Sequence, residues 1–152
     1  MQYSFEEINM KKLLILLFSF FLLSSPSVFA EENLSKININ NLNRLSSNQI
    51  IDAFSNKRLY GYYSMYGINM KFEEVHYADG DYVHTNTLYN DSGKWKVYDN
   101  KSCYKLNKTA LREQQKMFTC VSIFTRQKGE YYFYIPDQGV YAKVTSSITL
   151  ID

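Results

Sequence analysis

From Arg58 onward the hydrophobic positions come in short runs rich in Tyr, Phe, Val, Ile and Thr, broken by polar turn clusters. Short runs at regular spacing are the texture of an all-β domain. They predict eight strands, over residues 58–65, 70–77, 82–89, 94–98, 102–106, 117–126, 131–135 and 140–145. The turns fall at 66–69, 78–81, 90–93, 99–101, 127–129 and 136–139. Asp79-Gly80 and Pro136-Asp137-Gln138-Gly139 are turn signals with a mechanism: Asp tolerates the geometry and Gly supplies positive φ. Connections this short make antiparallel neighbours. The expected architecture is an up-and-down meander with enough strands to curl into a small barrel. Trp95 and Val97 alternate with Lys94, Lys96 and Tyr98, so one face of that strand is buried, and Gly93 permits a tight turn ahead of it. Residues 131–134 are aromatic throughout, which predicts cover on both faces, one by core and one by a loop or a ligand.

One helix precedes the strands. Ser46 is a good N-cap, and Gln49 three residues on completes a capping box. Ile50, Ile51 and Phe54 are expected to fall on one face at helical spacing. A helix this short is not stable alone, so it is expected to lie across one end or face of the sheet as a plug or lid. Residues 31–44 are rich in Asn, Ser and Lys without a sustained period and read as a flexible linker. Residues 45–152 then form a single β domain. The stretch from Asn107 to Lys116 is polar and helix-tolerant, and reads as an exposed insertion between two strands.

The first 30 residues follow another pattern. Lys11-Lys12 leads into an apolar run from Leu13 to Leu23, and Val28-Phe29-Ala30 offers small-residue cleavage. This is the layout of a secretory signal peptide, and the run falls short of the 18 or so residues that cross a bilayer. Met10 is the expected start, because Glu6 and Glu7 ahead of the lysines do not help export. No cysteine follows the cleavage site, which argues against a lipid anchor. The mature chain is expected to begin near Glu31, in the periplasm or outside the cell.

Export changes the meaning of the two cysteines. In an oxidising compartment Cys103 and Cys120 are most simply a disulfide. At a sequence separation of 17 the bridge stabilises by about 3 kcal/mol in the chain-entropy model. The formal charge is +2, and the lysines are scattered rather than gathered into the basic stripe of a nucleic-acid binder.

Candidate chemistry is sparse. His76 and His84 flank the Asp79-Gly80 turn. With a three-residue loop, Ala78-Asp79-Gly80, Glu74 sits opposite His84 and His76 opposite Tyr82, all on one face, as a weak metal candidate. With a two-residue loop the histidines face opposite sides, because a one-residue slip flips the face. There is no G-x-S-x-G elbow, and Glu73 and Glu74 point to opposite sides of their strand. The six glycines form no phosphate-binding loop. The reading is a non-enzyme without a cofactor. The 14 tyrosines suit half-buried strands, although tyrosine is also enriched at interfaces.

Gly93-x-Trp95-x-Val97, then Cys103, Cys120 and Gly129-x-Tyr131-x-Phe133, occur in an order that resembles a family of small exported bacterial proteins known only as a domain of unknown function. The hairpin Tyr77-Ala78-Asp79-Gly80 adds to the likeness, which spans about Leu45 to Val144. The resemblance implies a lipocalin-like barrel. Its structural signature here is Tyr77, Asp79, Gly80, Gly93, Trp95, Val97, Gly129 and Tyr131, and it brings no catalytic residues. The chain departs from the family in its longer loop between the cysteines. The expected function is non-catalytic binding of a small apolar ligand or an envelope component. The alternative is a protein-interaction or enzyme-inhibitor module that presents the Asn107 to Lys116 loop.

Overall fold

In the computed structural model, which describes residues 31–65, 68–88, 90–107 and 118–151, nine strands and one helix follow one another. They are β1 (Asn43–Arg44), α1 (Ser47–Phe54), β2 (Lys57–Met65), β3 (Ile68–His76), β4 (Asp81–Asn86), β5 (Asn90–Tyr98), β6 (Lys101–Leu106), β7 (Thr119–Gln127), β8 (Glu130–Ile135) and β9 (Gly139–Thr149). From β2 to β9 each strand pairs antiparallel with the next, and β9 pairs with β2. The result is the all-β, closed eight-stranded barrel that the alternation predicts. Closure leaves no free sheet edge around the barrel. The short β1 pairs with β7 at Asn43↔Thr125 and Arg44↔Phe124, past the point where β6 stops at Lys101↔Ser122.

Turn chemistry sets the register. Asp99 and Asn100 both have positive φ, 49° and 55°, the mirror-image two-residue turn whose twist matches the strands it joins. At the next connection but one before it, Gly80 (φ 89°) closes the three-residue loop of residues 78–80 between Tyr77 and Asp81. The expected turn at 90–93 is instead the start of β5, paired with β4 from Asn90↔Thr85 to Lys94↔Asp81. Gly93 is therefore not a turn residue. A Cβ there would lie 1.9 Å from the Lys105 carbonyl oxygen, so the glycine answers to the close approach of β6.

Cys103 and Cys120 are register partners and form a disulfide with a Cα–Cα distance of 4.0 Å. The bridge ties β6 to β7 across the insertion. Residues 108–116 of that insertion, residue 117 after it, and the leader of residues 1–30 lie outside the described residues.

α1 starts as expected. The Ser46 backbone N–H donates to Gln49 Oε1 at 2.8 Å, completing the capping box. Ile50 and Phe54, one turn apart, are fully buried, whereas Ile51 is 44% exposed. The three did not share a face because residues one apart in sequence diverge around a helix. Phe54 meets Tyr131 edge-on at 5.3 Å and Phe133 at 5.7 Å between ring centroids, inside the core cluster. The helix thus packs onto the barrel core near the start of β2 and the β5–β6 turn, as a plug.

Residues 31–44 are not the flexible linker that their composition suggests. Two 3-10 turns, Leu34–Lys36 and Ile39–Asn41, lead into β1. Leu34 is 1% exposed, packed in a second apolar cluster with Tyr62, Tyr132 and Val140. Glu32 anchors the same segment, accepting from Lys143 Nζ at 2.8 Å, Arg126 Nη2 at 2.9 Å and the Tyr132 hydroxyl at 3.0 Å. These partners hold its carboxyl down to about 2 against the opposing effect of burial. The aromatic run of β8 is covered on both faces for this reason: Tyr131 and Phe133 enter the barrel core, and Tyr132 meets the N-terminal segment.

Candidate functional site: a buried carboxylate cluster inside the barrel

Strands alternate inward and outward residues, so every second residue of β3 and β4 enters the barrel. On β3 these are Phe72, Glu74 and His76, and on β4 they are Tyr82, His84 and Asn86. The three-residue hairpin loop puts Glu74 opposite His84 and His76 opposite Tyr82. A two-residue loop would have placed the histidines on different faces.

Part of the interior is filled by apolar and aromatic side chains. Phe54, Leu59, Trp95, Tyr131, Phe133 and Val144 all lie in one core cluster. The Trp95 indole N–H donates to the Tyr77 carbonyl at 2.9 Å, and the Trp95 backbone N–H donates to the Gly80 carbonyl, also at 2.9 Å. Tyr77, Gly80 and Trp95 of the signature thus form one structural joint between the β3–β4 loop and β5. Trp95 also meets His76 edge-on, with 4.9 Å between ring centroids and 88° between planes. Val97 is only partly buried and packs against the same core. Gly129 (φ 88°) turns the chain between β7 and β8. Asp79 Oδ1 accepts from the Asp81 N–H at 2.9 Å and braces the loop.

Above this layer the interior becomes polar. Glu74 is 6% exposed, His76 fully buried and His84 7% exposed. Glu74 Oε1 accepts from the Tyr82 hydroxyl at 2.6 Å and lies 3.1 Å from His84 Nδ1. Burial alone would raise the Glu74 pKa, but the His84 hydrogen bond, the imidazoles' electrostatic pull and the Tyr82 hydrogen bond hold it below the ordinary carboxylate value. Glu74 is therefore ionised at neutral pH. A carboxylate only accepts, so its contact with His84 puts the imidazole proton on Nδ1. His84 Nε2 lies 3.2 Å from Asn86 Nδ2, and the same amide donates to the Tyr63 hydroxyl at 2.9 Å. Desolvation pushes His76 down to about 4 against the raising effect of Glu74, so this ring is neutral at pH 7. Its Nε2 lies 3.4 Å from the Tyr104 hydroxyl, which receives a hydrogen bond from Ser102 Oγ at 2.7 Å.

Among the described residues, two buried side-chain polar atoms lack a hydrogen-bond partner, Glu74 Oε2 and His76 Nδ1. Glu74 Oε2 is 3.9 Å from His76 Nε2, beyond hydrogen-bond range. Around them stand aromatic rings: Phe72 stacks on His84 at 5.8 Å, and Tyr82 meets both His76 and Tyr104 near 5 Å. Burial keeps the phenols of Tyr82, Tyr104 and Tyr141 protonated, and Glu74's negative charge reinforces this.

The fold thus brings His76, His84 and Glu74 together on one inward face. The Tyr82 hydroxyl binds Glu74 Oε1 and lies 3.4 Å from His84 Nδ1, where an ion would have to reach. Among the described residues no group of three His, Cys, Asp or Glu side chains is placed to hold a metal ion. Sequence reasoning missed Tyr104, Ser102 and Tyr141 as members of the cluster. Tyr104 and Ser102 could have been found from their alternation on β6. Tyr141 could not, because a register shift between Phe133 and Tyr134 alters the alternation of β9.

No helix among the described residues is long and apolar enough to cross a membrane. In comparisons with family models, curated proteins and solved structures, nothing matches the chain.

Proposed function

We propose that this barrel is a non-catalytic binding module of the bacterial cell envelope, exported and cleaved near Ala30, that takes a small ligand into its upper interior. One observation carries the reading: an ionised carboxylate, Glu74, is buried among aromatic rings with one of its oxygens unpartnered. A buried charge left incompletely hydrogen-bonded destabilises a fold by several kcal/mol, and an apolar residue at position 74 would avoid that loss. A site that must recognise something has reason to keep it. The Cys103–Cys120 disulfide agrees with an oxidising compartment. With Asp91 buried on β5 opposite His84, the cluster has two acids and two imidazoles but no activated nucleophile, which favours binding over catalysis.

The test is a native, non-reduced intact mass of the protein recovered from a periplasm. A companion mass lost on denaturation is the expected result, and its value begins to identify the ligand. A bare chain, at every expression level and in mild buffer, would count against the reading. The same spectrum reports cleavage near Ala30.

A further inference from the structure

The ligand class can be argued from the charge of the cluster, taking the binding-module reading as its basis. The buried core among the described residues contains no lysine or arginine. Glu74 finds ion-pair partners only in His76 and His84. His76 is held neutral by burial. His84 meets Glu74 through Nδ1 and lies opposite Asp91, a second buried carboxylate, and neither histidine is a permanent cation. The negative charge of Glu74 therefore stands in a low-dielectric interior without a permanent cation beside it. The surroundings are aromatic faces: Tyr63 stacks on Phe72 at 6.1 Å, and Phe72 on His84 at 5.8 Å. Aromatic faces attract cations, the more so when desolvated.

We propose that the unpartnered oxygen of Glu74, with the aromatic side chains around it, is a binding site for a small protonated organic amine. The ammonium group donates to Glu74 Oε2 and supplies the missing charge. Its apolar substituent rests on Phe72 and Tyr63, toward the end of the barrel where Met70, Leu106 and Ile135 are only partly buried. An anion would be repelled by Glu74. A neutral ligand of the same shape would leave the carboxylate uncompensated and bind more weakly. No bond is made or broken, and the amine enters and leaves as its conjugate acid.

Trp95, the only tryptophan of the chain, reports on the site through its edge contact with His76. The experiment titrates the oxidised mature chain at pH 7.5 with ethylamine, with phenethylamine and with 2-phenylethanol, the uncharged counterpart of the second. Saturable changes in Trp95 emission are expected with the amines. Binding of 2-phenylethanol should be at least ten-fold weaker than that of phenethylamine. Glu74→Gln should cut phenethylamine affinity by at least ten-fold, with a urea transition confirming that the variant is folded. Equal binding of the alcohol and the amine by the native chain would overturn the proposal even if the variant failed to fold. So would the lack of a saturable response to either amine. A non-basic companion in the native mass spectrum would sink the amine while leaving the binding-module reading standing; a bare chain would count against that reading, whereas saturable phenethylamine binding lost in Glu74→Gln would still support the amine site.

Discussion

Asn100 and Ser47 are joined across 53 residues of chain by reciprocal hydrogen bonds. Asn100 Oδ1 accepts from the Ser47 backbone N–H at 2.8 Å, and the Asn100 N–H donates to Ser47 Oγ at 3.1 Å. The β5–β6 turn thereby satisfies a donor at the exposed start of α1, which intrahelical bonding leaves unpaired. Asn100 also holds positive φ, 55°, a conformation that asparagine and glycine tolerate best. Asn100→Gly keeps the turn and loses the side-chain cap, with an expected loss of about 1 kcal/mol. Asn100→Ala adds the backbone penalty and should lose about 2 kcal/mol. Urea midpoints of the two variants check the order, and equal losses would show that the cap, not the turn, is all that matters.

Gly93 and Gly129 are constrained for different reasons. A Cβ at Gly93 meets the Lys105 carbonyl oxygen at 1.9 Å, and backbone on a neighbouring strand cannot yield cheaply. Gly93→Ala should lose about 3 kcal/mol by overpacking. A Cβ at Gly129 meets nothing within 4 Å, but its φ of 88° strains any other residue. Gly129→Ala should lose about 1 kcal/mol. The contrast is read from thermal or urea unfolding, and a Gly93 variant as mild as the Gly129 one would refute the close-approach account.

The segment ahead of β1 offers a cleaner test, because composition and structure disagree there. Leu34 is 1% exposed and Lys36, two residues on, is exposed. A flexible linker predicts that neither side chain matters. The packed segment predicts a loss of about 3 kcal/mol for Leu34→Ala and a change within about 0.5 kcal/mol for Lys36→Ala. Both are measurable by urea denaturation of the mature chain.

How much of this was legible in the sequence depends on whether the signal was local. The strands, the capping box and the tight turns announce themselves within four to ten residues, so the barrel could be read. The face shared by Glu74, His76, Tyr82 and His84 was legible only as one of two registers, since a single residue in the β3–β4 loop decides it. Leu34 was invisible because its partners Tyr62, Tyr132 and Val140 lie far along the chain, and nothing in an Asn- and Ser-rich stretch points to them. Gly93 misled because glycine is a turn residue more often than a spacer between strands. Its true constraint, Lys105, belongs to another strand.

The cluster inside the barrel also predicts how the protein responds to acid. His76 faces Glu74 on its own strand, Tyr82 on β4, Trp95 on β5, Tyr104 on β6 and Phe54 on α1. Its pKa falls from 6.5 to about 4 on folding, chiefly through desolvation, with Glu74 opposing. Between those values the unfolded chain binds a proton that the folded chain refuses. Stability therefore rises with pH through this window and is lost on acidification. From pH 7.5 to pH 5 the expected loss from this residue is about 2 kcal/mol. Glu74, whose pKa is lowered on folding, acts in the same direction, but only as pH falls below the ordinary carboxylate value of 4.5. Confining the measurement to pH 5 and above separates the two. His76→Gln removes the titration, so its urea midpoint should vary less with pH than that of the native chain, whatever its absolute stability. Parallel pH profiles would mean that His76 is not the group being refused its proton, and would reopen the question of what the buried ring is doing beside Trp95.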